Sequence, residues 1–122
     1  MKPLGGSELA YQELINHVAP GWQDDINLIL STCRHEFIDP NKINVVWQQL
    51  SYDQENVKLM SDPDFVSKID YFVYVSSWNH EKFRNHFNTP EEKSLVIKNA
   101  TRAFTPRPKP KTEKLKLIYT ST

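Results

Sequence analysis

The chain has 122 residues, 39% of them apolar and 25% charged, which suits one ordinary globular domain with a core of its own. Fifteen basic residues balance fifteen acidic ones, so the basic excess expected of a duplex nucleic-acid binder is absent. Cys33 is the single cysteine, and the apolar runs are only a few residues long. These features exclude an internal disulfide framework and give no sign of a signal peptide or a membrane span. A cytoplasmic protein without a nucleic-acid partner is the expectation.

Ser7 to Val18 reads as a helix, with Ala10, Tyr11, Leu14, Ile15 and Val18 at helical spacing. Glu8 in its first turn complements the helix dipole, and Pro20-Gly21 ends it. Ile26 to Thr32 reads as a short buried strand. Asp39-Pro40-Asn41 is a turn, and Ile43 to Gln48 a second strand. Ser51 and Gln54 have the spacing of a capping box and predict a helix over Tyr52–Met60. Asp62-Pro63-Asp64 opens another helical piece running to about Ile69, with proline in the first turn.

Tyr71 to Ser76 is rich in aromatic and β-branched residues and apolar on both faces, the pattern of a central parallel strand. Asn79 to Phe87 returns to helix. Thr89-Pro90-Glu91-Glu92 marks a short turn before a strand at Leu95-Val96-Ile97. Prolines at 106, 108 and 110 make residues 105–113 a stiff, extended Pro/Lys linker. Lys114 to Tyr119 alternates polar and apolar and reads as one more strand. The expected fold is therefore α/β. It is a Rossmann-like parallel sheet with helices on both faces, of the doubly wound kind, its first strand short or missing. Residues 1–104 form the domain, and 114–122 read as the first strand of a second one.

Three stretches offer binding chemistry. Gly5-Gly6-Ser7 at a helix start would present free N–H groups and a dipole to a phosphate, or would be a flexible start with an N-cap. Ser76 and Ser77 follow the strongest strand, where an open α/β sheet binds ligands; either a hydroxyl for a sugar or phosphate, or a helix cap, accounts for them. Trp47, Gln48 and Gln49 end the preceding strand, and an aromatic face with amides suits a sugar, although a buried Trp beside exposed glutamines reads equally well. His17, His35, His80 and His86 show no metal spacing with one another or with Cys33, so no metal site is expected. Cys33 reads as a strand-end hydrophobe rather than a nucleophile.

In order along the chain, Gly5-Gly6-Ser7-Glu8, Asp70 to Ser76 with Ser77, Val96-Ile97-Lys98-Asn99-Ala100 with Phe104 and Pro106, and the strand from Leu115 form a set. Together they resemble the N-terminal half of retaining GT-B glycosyltransferases of group 1 (family four), in the style of short phage and marine bacterial members. The resemblance implies transfer of a sugar from a nucleotide-diphosphate donor to a glycan or other acceptor. Gly5, Gly6 and Ser7 would then face the donor phosphate. Trp47, Gln48, Gln49, Ser76 and Ser77 would lie on the acceptor side, and Asn99 in the interdomain cleft. It also implies that no cofactor or divalent metal is needed, and that a second domain, in cis or in trans, holds most of the donor site. Alone, the chain would be inactive. Ala100 stands where the family has glycine, and Gln48 or Gln49 occupies the region of the family's histidine near the reaction centre. The competing expectations are a stand-alone α/β ligand-binding module, or an oligomeric interaction module joined through its C-terminal strand at residues 112–122.

Overall fold

The computed structural model describes residues 5–100, 103, 105–108, 114, 115, 117 and 118. Helix α1 spans Gly6–His17, followed by strand β1 (Ile26–Leu30) and strand β2 (Ile43–Gln48). A 3-10 stretch, Glu55–Ser61, leads into the short helix α2 (Pro63–Ser67) and strand β3 (Tyr71–Tyr74). Helix α3 (Ser77–Phe87) and strand β4 (Ser94–Val96) complete the order. The four strands form one all-parallel sheet, so the chain is α/β as its alternating pattern predicts. The sheet runs straight, β1-β2-β3-β4, without the reversal that gives a doubly wound sheet its switch-point crevice.

Period-2 alternation sorts the strand residues onto two unlike faces. Ile29, Val46, Phe72 and Tyr74 lie between 0% and 3% exposed on one face. Val57, Met60, Phe65, Ile69, Phe83 and Cys33, all from the connecting segments, close over them in a single core. Leu28, Val45, Trp47 and Val73 alternate with these residues and are only half-buried. α1 lies over that second face, where Ala10 and Leu14 approach Leu28, Trp47 and Val73. None of its residues is buried: Ala10, Tyr11 and Leu14 of the predicted stripe are half-buried, while Ile15 and Val18, the latter just past the helix, are exposed.

Local chemistry sets the element ends. Ser76 caps α3, its Oγ accepting from Asn79 N at 3.0 Å, and Asn88 ends that helix in the left-handed region at φ 55°. Asp62 caps α2 by accepting from Asp64 N, with Pro63 in the first turn. Ser31 takes φ 62° and stops β1 at Leu30, two residues before the predicted strand does. The capping box expected at Ser51 and Gln54 does not form: Gln54 N bonds to Ser51 O, and the helical turns start at Glu55 as 3-10 rather than α. β3 ends at Tyr74, and it is closed on one face only, with Tyr71 46% exposed.

One side chain ties the N-terminal ends of the strands together. Asn44 Oδ1 accepts from Asn27 Nδ2 (2.8 Å) and Asp39 N (2.9 Å), while its Nδ2 donates to Asp39 O and Lys42 O. Its backbone N–H donates to the Asp70 carboxylate at 2.7 Å. Every polar group of this buried residue is satisfied, as burial requires. Lys114, Leu115, Leu117 and Ile118 are exposed and outside the sheet, so the strand predicted there is not formed among the described residues. Its remaining positions, most of the linker and the region before Gly5 lie outside the described residues. No described helix is long and apolar enough to cross a membrane.

The two faces should respond differently to truncation. Phe72→Ala, in the closed core, is expected to cost about 3–5 kcal/mol. Tyr71→Ala, its half-exposed neighbour on the open face, should stay within about 1 kcal/mol. Urea unfolding of the two variants tests this, and equal losses would contradict the one-sided core.

Candidate functional site

The C-terminal ends of β1, β2 and β4 meet through side-chain amides and one hydroxyl. Ser31, bent back by its positive φ, accepts from Gln49 N at its Oγ (3.0 Å), and its own N–H donates to Trp47 O (3.0 Å). Gln49 then forms a reciprocal amide pair with Asn99: Nε2 donates to Asn99 Oδ1 at 3.0 Å, and Asn99 Nδ2 donates to Gln49 Oε1 at 2.9 Å. Ile97 N donates to Tyr74 O and carries the β3–β4 pairing one residue past β4. The pair therefore joins the end of β2 to the segment that follows β4.

Beneath this pair lies a cleft of about 500 Å³ between α1 and the open sheet face. Trp47, Leu28 and Val73 line it from the sheet, Ala10 and Leu14 from α1, and Ile97 from the segment after β4. Glu13, His17, Lys98 and Asn99 supply its polar rim. Two residues singled out in the sequence, Trp47 and Asn99, thus share one cavity with Gln49 tied to it.

The other candidates separate. Gln48 is wholly buried, with its Nε2 donating to Ser31 O (3.4 Å) and its Oε1 accepting from Leu50 N (3.1 Å). It is a brace of the β1–β2 ends and has no surface for a sugar, so its reading as a sugar ligand is corrected. Ser76 spends its hydroxyl on the α3 cap, while Ser77 is exposed in the first turn of that helix. Gly5 is the N-cap of α1 with φ −77° and no side-chain cap bond. The Glu8 carboxylate folds back so closely that its Oε2 lies 2.6 Å from where a Cβ on Gly5 would stand. Nothing in the φ of Gly5 requires glycine, and among the described residues the only close neighbour of an added Cβ would be the movable end of the exposed Glu8 side chain. An anion at Gly5-Gly6-Ser7 would have to displace Glu8 from the positive end of the helix.

Sequence spacing gave no hint that His35, Asp62 and Asp64 converge, with one ligand-type atom from each within 4.8 Å of the others. Only the fold brings residue 35 to the start of α2. His35 Nε2 lies 3.1 Å from Asp62 Oδ2, Asp62 Oδ1 accepts from Asp64 N, and Asp64 pairs with Lys68 at 3.1 Å. Each member is already engaged in the capping network of a short surface helix. The Asp62 carboxyl is held below its usual value first by the Asp64 N–H, against some desolvation, and then by the His35 ring. Cys33 is buried, its Sγ donates to Ser31 O at 3.4 Å, and burial pushes the thiol up to about 12. It is a small hydrophobe, not a nucleophile. Tyr74 stacks on His80 at 5.1 Å between ring centres, and burial likewise pushes its hydroxyl up to about 12.

Because the folded Asp62 pKa lies below its ordinary 3.8, its ionised form stabilises the fold above that value, and the contribution is lost as pH falls through the lower, folded value. Asp62→Asn should therefore melt below the wild type at neutral pH, and the gap should close on acidification. Thermal melts across the acid range check this; a constant gap would refute it. Cys33 should resist a thiol reagent in the native protein and react fully in urea, and rapid labelling of the folded chain would overturn its assignment as an inert core residue. Comparison of the chain with family models, with characterised proteins and with solved structures finds no match.

Proposed function

We propose that this chain is the acceptor-side domain of an enzyme that moves a sugar from a nucleotide-diphosphate donor to an acceptor. The observation that supports it best is the meeting of Trp47, Gln49 and Asn99 at the C-terminal ends of parallel strands, beside a cleft. Carboxyl ends of parallel strands are where open α/β sheets hold ligands at a switch point, and since this straight sheet has none, the reading rests on the side chains gathered there. An indole can pack against a sugar ring, and a pair of amides offers both donors and acceptors to hydroxyls. On this reading Ser77, exposed beside the same strand ends, adds a hydroxyl. The N–H groups of Gly5, Gly6 and Ser7 stabilise charge on the leaving diphosphate once Glu8 swings aside. The chain then supplies one wall of the site, and a second domain supplies most of the donor contacts.

A second reading, a non-catalytic interaction module, draws on a different observation. Leu95, Val96 and Ile97 are 49%, 39% and 56% exposed on and just after the edge strand β4, where another chain could pair.

Titration with methyl glycosides and with UDP-sugars, followed by NMR, separates the two. Glycosides should shift the Trp47 indole and the Gln49 and Asn99 side-chain amides, and UDP-sugars the Gly5–Ser7 amides. Affinities should be on the order of millimolar, about 4 kcal/mol, because only one wall is present. Trp47→Ala should abolish the glycoside response. Silence at these positions, with concentration-dependent broadening at Leu95–Ile97 instead, would replace the transferase reading with the interaction module.

A further inference from the structure

The cleft under α1 differs in chemistry from the amide pair at its mouth. Its walls are Ala10, Leu14, Leu28, Trp47, Val73 and Ile97, which have no polar side-chain atom except the Trp47 indole N–H. No described residue fills this space. Leu28, Trp47 and Val73 stay half-buried, while Ile29, Val46 and Phe72 beside them on the same strands are sealed. α1 spans the gap without burying any residue. A volume of about 500 Å³ falls in the range of small-ligand sites.

The rim is polar, with Glu13 and His17 on the α1 side and Lys98 and Asn99 on the other. Glu13 and His17 face each other, with His17 Nδ1 2.8 Å from Glu13 O and 3.8 Å from the Glu13 carboxylate. Lys98 is exposed, lines the same cleft beside Asn99, and has no hydrogen-bond or ion-pair partner among the described residues. An apolar trough with an exposed ammonium at one side of its rim complements a molecule with a hydrocarbon body and an anionic end, provided that end sits at Lys98 and away from the Glu13 carboxylate on the α1 side.

We propose that the cleft binds an amphipathic anion, a single hydrocarbon chain ending in a phosphate, with the chain against Trp47 and Leu14 and the phosphate at Lys98. For the role of this ligand as the sugar acceptor, the inference rests on the transferase reading above. Burial of the chain in the trough would hold the head near the Gln49–Asn99 pair, at the strand ends where transfer is proposed.

The test uses the full chain and three probes below their aggregation limits: decyl phosphate, decanol and inorganic phosphate. Decyl phosphate should quench or shift Trp47 fluorescence and perturb the Leu14, Leu28 and Val73 methyl signals. Affinity should rise about fourfold per added methylene across shorter alkyl phosphates, until the trough is full. Inorganic phosphate alone should leave these signals unmoved. Lys98→Ala should remove most of the advantage of decyl phosphate over decanol, roughly a threefold to fivefold effect. Ala10→Trp, on the half-exposed face of α1, should fill the trough and abolish binding of both alkyl probes while the protein still unfolds cooperatively in urea. Unchanged binding in Ala10→Trp, or an unchanged phosphate preference in Lys98→Ala, would overturn the proposal. Binding of methyl glycosides without decyl phosphate would sink the cleft inference and leave the acceptor reading standing. Binding of decyl phosphate with no response to any sugar or nucleotide-sugar would do the opposite.

Discussion

Every parallel strand has to be reached by a crossover, and this sheet lays its strands down in one direction only. Right-handed crossovers that all advance the same way fall on the same face. Cys33 and Ile38 from the first connection, Val57, Met60 and Phe65 from the second, and Phe83 from the third all pack into one core with Ile29, Val46, Phe72 and Tyr74. The hydrophobic effect is thereby concentrated on one side of the sheet, and among the described residues the other side meets only α1 and the segment after β4. The one-sided core, the half-exposed Trp47 and the cleft are consequences of that single topological fact.

Two polar nodes hold the sheet in register at opposite ends. At the N-terminal end Asn44 joins β1, the β1–β2 loop and the start of β3, and the Asp70 N–H returns a bond to Asn44 O. At the C-terminal end Ser31 and Gln48 join β1 to β2, and the Gln49–Asn99 pair reaches across to the segment after β4. Buried amides such as Asn44 and Gln48 are tolerated because their groups are matched, and an unmatched buried amide would cost more than its pair contributes. The second node also serves the candidate site. The contacts that fix the ends of β1 and β2 set the position of Gln49 at the mouth of the cleft.

The cleft and the capping network illustrate two ways in which chemistry-bearing side chains gather. His35, Asp62 and Asp64 come together because a helix start needs an acceptor, and their mutual bonds use up their capacity. Asn99 is placed by its pair with Gln49, Lys98 beside it makes no side-chain bond among the described residues, and none of these fills the space between them and the apolar residues of α1 and three strands. The second kind of arrangement is the one that leaves room for a ligand.

Much of the architecture was legible in the residues themselves. Tyr71-Phe72-Val73-Tyr74 and Ile43 to Gln48 could only be strands, Asp62-Pro63 only a helix start, and the α/β alternation followed from local periodicity, which is a property of neighbouring residues. Local rules failed where a competing bond decided. Ser51 did not cap because Gln54 bonds to its carbonyl, and Ser31 stopped β1 because its hydroxyl serves Gln49 N. Trp47, Gln49 and Asn99 were each visible as candidates, but the Gln49–Asn99 pairing depends on a contact across fifty residues, and the removal of Gln48 into the core on one across seventeen. By itself the sequence determined most of the strands and helices from Gly6 to Val96, but neither the 3-10 form of Glu55–Ser61 nor the one-sided cover of β3. Only the tertiary structure decided the straight strand order, and with it which face is closed and which holds the cleft, because strand order is set by long-range burial that no local pattern encodes.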